Sequence, residues 1–506
     1  MMMVHPGLPS VWAAALCVFM LALSAYILLA NTVSGSPAKT ISLANIPVVG
    51  AFVRALTGTP VILLFLKITV VCLFVLVIAA GLSGSQIPER NIATVLTWNI
   101  WWAGLIISVF FLGSAWCAIC PWDAIATWLV RRRLWRRAHP NNSLNLRVSR
   151  RLRSVWPALV LFIVLTWFEL GVGVTSSPYM TALLALAMVL MATASLAVFE
   201  GKAFCRYFCP VGRTIGFYSQ LAPVELRPVN TDICAGCKTL ECYYGSETVD
   251  PCPTHLVMGR LKQNTYCTSC GNCARSCPDN NVAWRLRAPS REAIEDARPH
   301  WDEAWFMLGL LALTEFHGIS MAPFFEAWLL SLAALVNDSG KLLWSFSTLL
   351  LTGMLAVALA YAFFVRLTQK ACPDNPGFKK MFTGFVFVSL PLAFSYHLAH
   401  NLSHLFRESS GFGALLLNPF GLGAQPLSMM EKHSRHRDIL FSQDFLFASQ
   451  AALLAFGFWI SLKVIQHRGY VLAGAAGLRL SPMIMFAITI TGLHVWLLMQ
   501  PMMMRF

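Results

Sequence analysis

Twelve of the chain's 15 cysteines fall in short, regular runs, and their spacing is the part of the sequence with the clearest chemistry. The densest run, CTSCGNCARSCP from Cys267 to Pro278, reads C-x2-C-x2-C-x3-C-P. In that pattern three thiolates close around one [4Fe-4S] cube, and the fourth reaches across to a neighbouring cube. A second run lies upstream: Cys234, Cys237 and Cys242, followed by a distant Cys252–Pro253. The crossing rule then groups Cys234, Cys237, Cys242 and Cys277 around one cluster, and Cys252, Cys267, Cys270 and Cys273 around the other. Zinc is the alternative ligand for paired cysteines, but zinc ribbons place their pairs on two separated knuckles rather than in one run. A disulfide framework suits small secreted domains and not a chain of this kind.

Two further motifs end in proline: WCAICP, with Cys117 and Cys120, and FCRYFCP, with Cys205 and Cys209. Each follows the second helix of an apolar hairpin, as in a diverged repeat. Proline stops a helix and frees backbone amides to face sulfur, so these four thiols form a candidate third [4Fe-4S] set. The first motif is one residue shorter, which turns a cysteine by about 100° on a helix. A redox-active or unligated thiol group is therefore the alternative. Cys17, Cys72 and Cys372 stand alone and read as packing residues.

The elements that position these groups are membrane helices. With 57% hydrophobic residues, the chain shows about ten apolar runs of spanning length, near 10–30, 60–82, 94–116, 154–172, 179–199, 303–321, 343–365, 381–404, 444–464 and 481–500. The predicted fold class is an all-α polytopic membrane protein with an inserted small α+β domain resembling a bacterial ferredoxin. Its expected parts are a membrane domain over 1–210, the cysteine-rich insertion over 211–300, and a second membrane domain over 301–506. The first run follows MMMVHPGLPS, which has no lysine or arginine, and so reads as an uncleaved anchor rather than a signal peptide.

Residues 131–153 carry nine arginines and no acid, which places them in the cytoplasm of a bacterial inner membrane. Alternation then puts the cysteine-rich insertion inside and both termini outside. The net charge of +15 is thereby a topology signal rather than a nucleic-acid surface.

Ionisable residues also occur inside the predicted spans, where they are expensive. SYHLAHNLSHLF puts His397, His400 and His404 on one helical face, while His494 and the pair Glu315 and His317 lie in other spans. Counted at 1.5 Å per residue, His317, His397 and His494 fall roughly 20–25 Å across the membrane. Three readings stand open: axial ligands of a b-type haem, with His397 or His400 paired to His494; a quinol site; or interhelical hydrogen bonds. His433 and His436, in SMMEKHSRHRD, read as a solvated outer loop.

The paired cysteine–proline motifs followed by the Cys234–Cys277 region resemble the NapH/NosR-type membrane polyferredoxins over roughly residues 60–300. That resemblance implies electron transfer between the quinone pool and an unidentified redox partner protein, as in a quinol-linked oxidoreductase subunit. The chain departs from the family at the shorter first motif and in its last five spans. The rival expectations are a maturation or activation factor for a metalloenzyme, a redox sensor, and a transporter with regulatory clusters.

Overall fold

A computed structural model describes residues 4–29, 40–132, 142–372, 376–409, 411–437 and 441–503. Part of the arginine loop, residues 133–141, and the side chains of His433 and His436 lie outside the described residues. Eleven apolar helices organise the rest: α1 (Ser10–Leu29), α2 (Val61–Ser83), α3 (Ile92–Arg131), α4 (Trp156–Val172), α5 (Pro178–Val198), α6 (Trp301–Ser320), α7 (Pro323–Val336), α8 (Leu343–Ala371), α9 (Phe378–Glu408), α10 (Gln443–Ala473) and α11 (Gly477–Met499).

All ten expected runs are helical, but they do not all cross alike. Eight helices are long and apolar enough alone, making this a multi-pass membrane protein. Helix α6 meets the test only together with α7, from which it is bent by 94°, because Asp302, Glu303, Glu315 and His317 dilute its apolar run. Helix α4 is shorter than a full span and ends at Gly173, whose φ of 79° breaks it. Helix α9 runs through the middle of the bundle, with its whole apolar window buried, whereas α2 lies at the lipid edge with 6% of its window buried. The helix that carries His397, His400 and His404 is thus the one least able to reach lipid.

Segments far apart in sequence meet in two small sheets. Strand β1 (Val4–His5) at the N-terminus pairs with the C-terminal strand Met502–Met503. On the opposite side, β2 (Ile41–Ser42) joins β3 (Val224–Pro228) and β4 (Val282–Leu286) in one antiparallel sheet, ordered β2-β4-β3. The cysteine-rich segment is therefore tied to the loop between α1 and α2. Beneath the sheet, Glu292 accepts hydrogen bonds from Arg227 Nη2 at 2.7 Å, from Arg287, and from the Asn264 amide at 2.7 Å. Glu225 accepts from Arg285 Nη2 at 2.6 Å and from Arg287 Nη1 at 3.1 Å, the same nitrogen that donates to Glu292.

The short helix Pro210–Tyr218 is buried along its whole length and packs into the same core as the spans. The first residues of the expected insertion thus pack with the spans.

Wide, π-type turns interrupt the bundle at Val95–Trp101, Phe168–Val172 and Phe204–Phe208. Such turns are rare and gather at functional sites. All three lie beside the groups described next.

Candidate functional site

One cavity is lined by Cys234, Cys237, Cys242 and Cys277, so the last cysteine of the CTSCGNCARSCP run faces the upstream set. Backbone amides just downstream of Cys237 and Cys277 turn toward their sulfurs. The Asn281 amide donates to Cys277 Sγ at 3.3 Å, and Asn281 Nδ2 donates to Cys234 Sγ at 3.3 Å. Cys237 is held below the usual thiol range by the amides of Leu240 and Thr239 and by the Thr239 hydroxyl.

Cys252, Cys267, Cys270 and Cys273 form a second set whose charges act on one another. Burial pushes the Cys267 thiol up to about 11. The Leu256 amide donates to Cys252 Sγ at 3.3 Å.

The cysteine–proline motifs also converge: Cys117 lies within electrostatic reach of Cys120, Cys205 and Cys209. Cys120, Cys205 and Cys209 line one small cavity with Asp123 and Lys202, which form an ion pair. The unequal motif lengths are reconciled by the turns that carry them. The extra residue of the second motif is absorbed in the wide turn Phe204–Phe208, closed by the Cys209 amide on the Phe204 carbonyl at 2.8 Å. Both prolines then open the next helix at its first position, where the missing N–H costs nothing. The Gly212 amide donates to Cys209 Sγ at 3.2 Å, and the amides of Trp122 and Asp123 face Cys120.

The donor chemistry suits iron–sulfur clusters: three sets of four thiols, each served by N–H groups aimed at sulfur. Among the described residues no three His, Cys, Asp or Glu side chains stand close enough to share a single ion.

The histidines meet around residues 396–404 of α9. His397 accepts from Trp102 Nε1 at 3.1 Å, and its Nδ1 lies 3.2 Å from the Tyr218 hydroxyl. His494 stacks on Tyr396 with ring centres 4.3 Å apart and places Nε2 3.5 Å from Glu315. His400 faces His317 at 5.0 Å between ring centres and His404 at 5.3 Å. His404 Nδ1 is 2.7 Å from Glu408, and His317 Nδ1 is 3.9 Å from Glu169.

A cavity of about 350 Å3 runs between α2, α3, α4 and α5. Its walls include Trp98, Trp101, Trp102, Trp116 and Trp122, with Cys120 and Glu169 among its few polar groups. Sequence reasoning missed Glu169, Tyr218 and this tryptophan wall. The lone carboxylate in the apolar run TWFELG was the available signal, since an acid inside a span is a site candidate by default.

Comparison with known proteins bears on the same residues. A family described as "4Fe-4S binding domain" matches residues 94–138 and 181–222, the two stretches that carry Cys117, Cys120, Cys205 and Cys209. "Putative electron transport protein YccM" of Escherichia coli is 28% identical over 23% of this chain, and the match spans only 30% of that relative's length. The uncharacterized proteins MJ0749 and MJ0750 of Methanocaldococcus jannaschii are 24% and 25% identical, covering 42% and 36% of this chain and 80% and 75% of their own lengths. No solved structure matches. The family match supports an iron–sulfur protein that binds [4Fe-4S] clusters.

Proposed function

We propose that this chain is a membrane-bound electron-transfer protein that exchanges electrons between the quinone pool and a redox partner protein through three [4Fe-4S] clusters. The observation that carries this reading is the convergence of twelve cysteines into three adjoining sets, the last of which opens through Cys120 onto an apolar, tryptophan-lined cavity. Bound clusters would supply single-electron acceptance and release. The residues of the chain hold the sulfurs, orient amides toward them, and keep water from the third set. The similarity to an E. coli protein described as an electron transport protein agrees with this role.

In this reading residues 1–210 and 301–506 embed the chain in a bacterial inner membrane, and the cysteine-rich segment faces the cytoplasm, as the arginine loop requires. The resemblance to NapH/NosR-type polyferredoxins gives the quinone link. Haem on His397 is the weaker reading, because both ring nitrogens of His397 already have hydrogen-bond partners. A bis-histidine iron needs a lone pair from each ring.

Anaerobic addition of a water-soluble quinol analogue to the purified, oxidised protein tests both points. The broad iron–sulfur absorbance should bleach without any sharp reduced-state α band. Unchanged absorbance would overturn the quinone link, and a sharp α band would restore haem.

A further inference from the structure

We propose that the tryptophan-lined cavity binds the ring of a membrane quinol, that Glu169 takes up its protons, and that His317, His400, His404 and Glu408 conduct them to the face that carries both termini. This deepens the function proposed above and rests on it. The cavity fits that ligand class in three respects. Its wall is almost wholly apolar and aromatic, which suits a flat hydrophobic ring. It borders α2, the helix at the lipid edge, where Leu73 is both a cavity residue and exposed, so the ligand has an entry from the bilayer. It also joins the two groups that a quinol needs at once, a thiol of the third cysteine set and a buried carboxylate.

A lipid tail needs neither of those groups. Glu169 is 8% exposed, and an ionisable group inside a span is costly unless it has a function. Oxidation of one quinol to quinone breaks two O–H bonds and releases two electrons and two protons. The electrons go singly to the iron–sulfur clusters as acceptors, and the protons need a separate exit because the apolar wall excludes water.

The exit is a string of neighbouring groups. Glu169 lies 3.9 Å from His317, a gap that a small side-chain rotation or one water closes. His317 and His400 are 5.0 Å apart between ring centres, His400 and His404 5.3 Å, and His404 is 2.7 Å from Glu408. Glu408 ends α9, next to the loop whose neighbours at 419–421 bond to Ser85 and Ile92, on the side of the membrane opposite the cysteine sets. Quinol oxidation would thereby deliver electrons to one face and protons to the other. Running in reverse, the same path serves quinone reduction.

Intrinsic fluorescence tests the site independently of turnover, because five of the chain's 17 tryptophans line the cavity. Titrating the full-length protein in nanodiscs with a short-chain naphthoquinone should give saturable quenching. Ala185→Phe, which fills the cavity, should weaken it at least about tenfold, and the milder Met188→Phe serves if that variant does not fold. Glu169→Gln should keep the quenching within about threefold of the parent while slowing quinol-driven bleaching by about a hundredfold, as expected for loss of a positioned proton acceptor.

Bleaching by quinol that none of these variants alters would overturn the site and leave the quinone reading standing. Absence of both quenching and bleaching would overturn both. Naphthoquinone quenching that neither Ala185→Phe nor Met188→Phe weakens would mark partition into the bilayer rather than into this cavity and contradict the proposal. Normal bleaching by Glu169→Gln would remove Glu169 as proton acceptor.

Discussion

Cys277→Ala is expected to remove the cluster of the upstream cysteines, although Cys277 closes the CTSCGNCARSCP run. Its sulfur faces the cavity of Cys234, Cys237 and Cys242, and the amide of Asn281 is aimed at it. Iron should fall by about four atoms per chain, one [4Fe-4S] unit. The grouping is tested by combination. Adding Cys237→Ala to Cys277→Ala should cost no further iron, because both residues serve one cluster. Adding Cys270→Ala should remove about four atoms more, since ligands of separate clusters are independent. The opposite pattern of non-additivity would place Cys277 with its sequence neighbours and contradict the crossed sets.

The largest expected effect on stability comes from Glu292→Ala. Glu292 is fully buried and bonds to Arg227, Arg287 and the Asn264 amide at the base of the sheet. Removing its carboxylate leaves two buried guanidinium groups with Glu225 as their remaining acid. Breaking a buried ion cluster from one side costs about 3–5 kcal/mol. The loss should be local. Iron should leave the cysteine-rich segment on mild heating, well below the temperature at which the helical circular dichroism of the spans changes. An unchanged temperature of iron loss would show that the cluster contributes little.

Much of this arrangement is legible from one dimension. Apolar run lengths locate the helices because a span needs continuous hydrophobicity, and the proline after each cysteine pair marks where a helix must stop. The crossing rule alone groups Cys277 with Cys234, and the structure brings those side chains to one cavity.

What escapes the sequence is the identity of neighbours. Counting at 100° per residue set the C-x2-C and C-x3-C motifs out of phase, because helical periodicity knows nothing of the wide turn at Phe204–Phe208. Depth counting brought His317, His397 and His494 to one level. It could not tell that Trp102 and Tyr218 would engage His397, or that His400 would face His317 rather than His494. Tyr218 was hidden because Pro210–Tyr218 follows a cysteine–proline stop yet returns into the core. Strand β2, two residues long, carries no periodic signal at all and is defined only by its partner β4.

The central claim, that all three cysteine sets hold [4Fe-4S] clusters, is tested most directly by counting metal. Protein purified without oxygen should contain about twelve iron atoms and about twelve acid-labile sulfides per chain, three four-iron units, with zinc far below one. Cys205→Ala should bring both counts to about eight. A parent protein with about eight of each, unchanged by Cys205→Ala, would leave the Cys117, Cys120, Cys205 and Cys209 set without a cluster. That result would sever the proposed path between the cavity and the cysteine-rich segment.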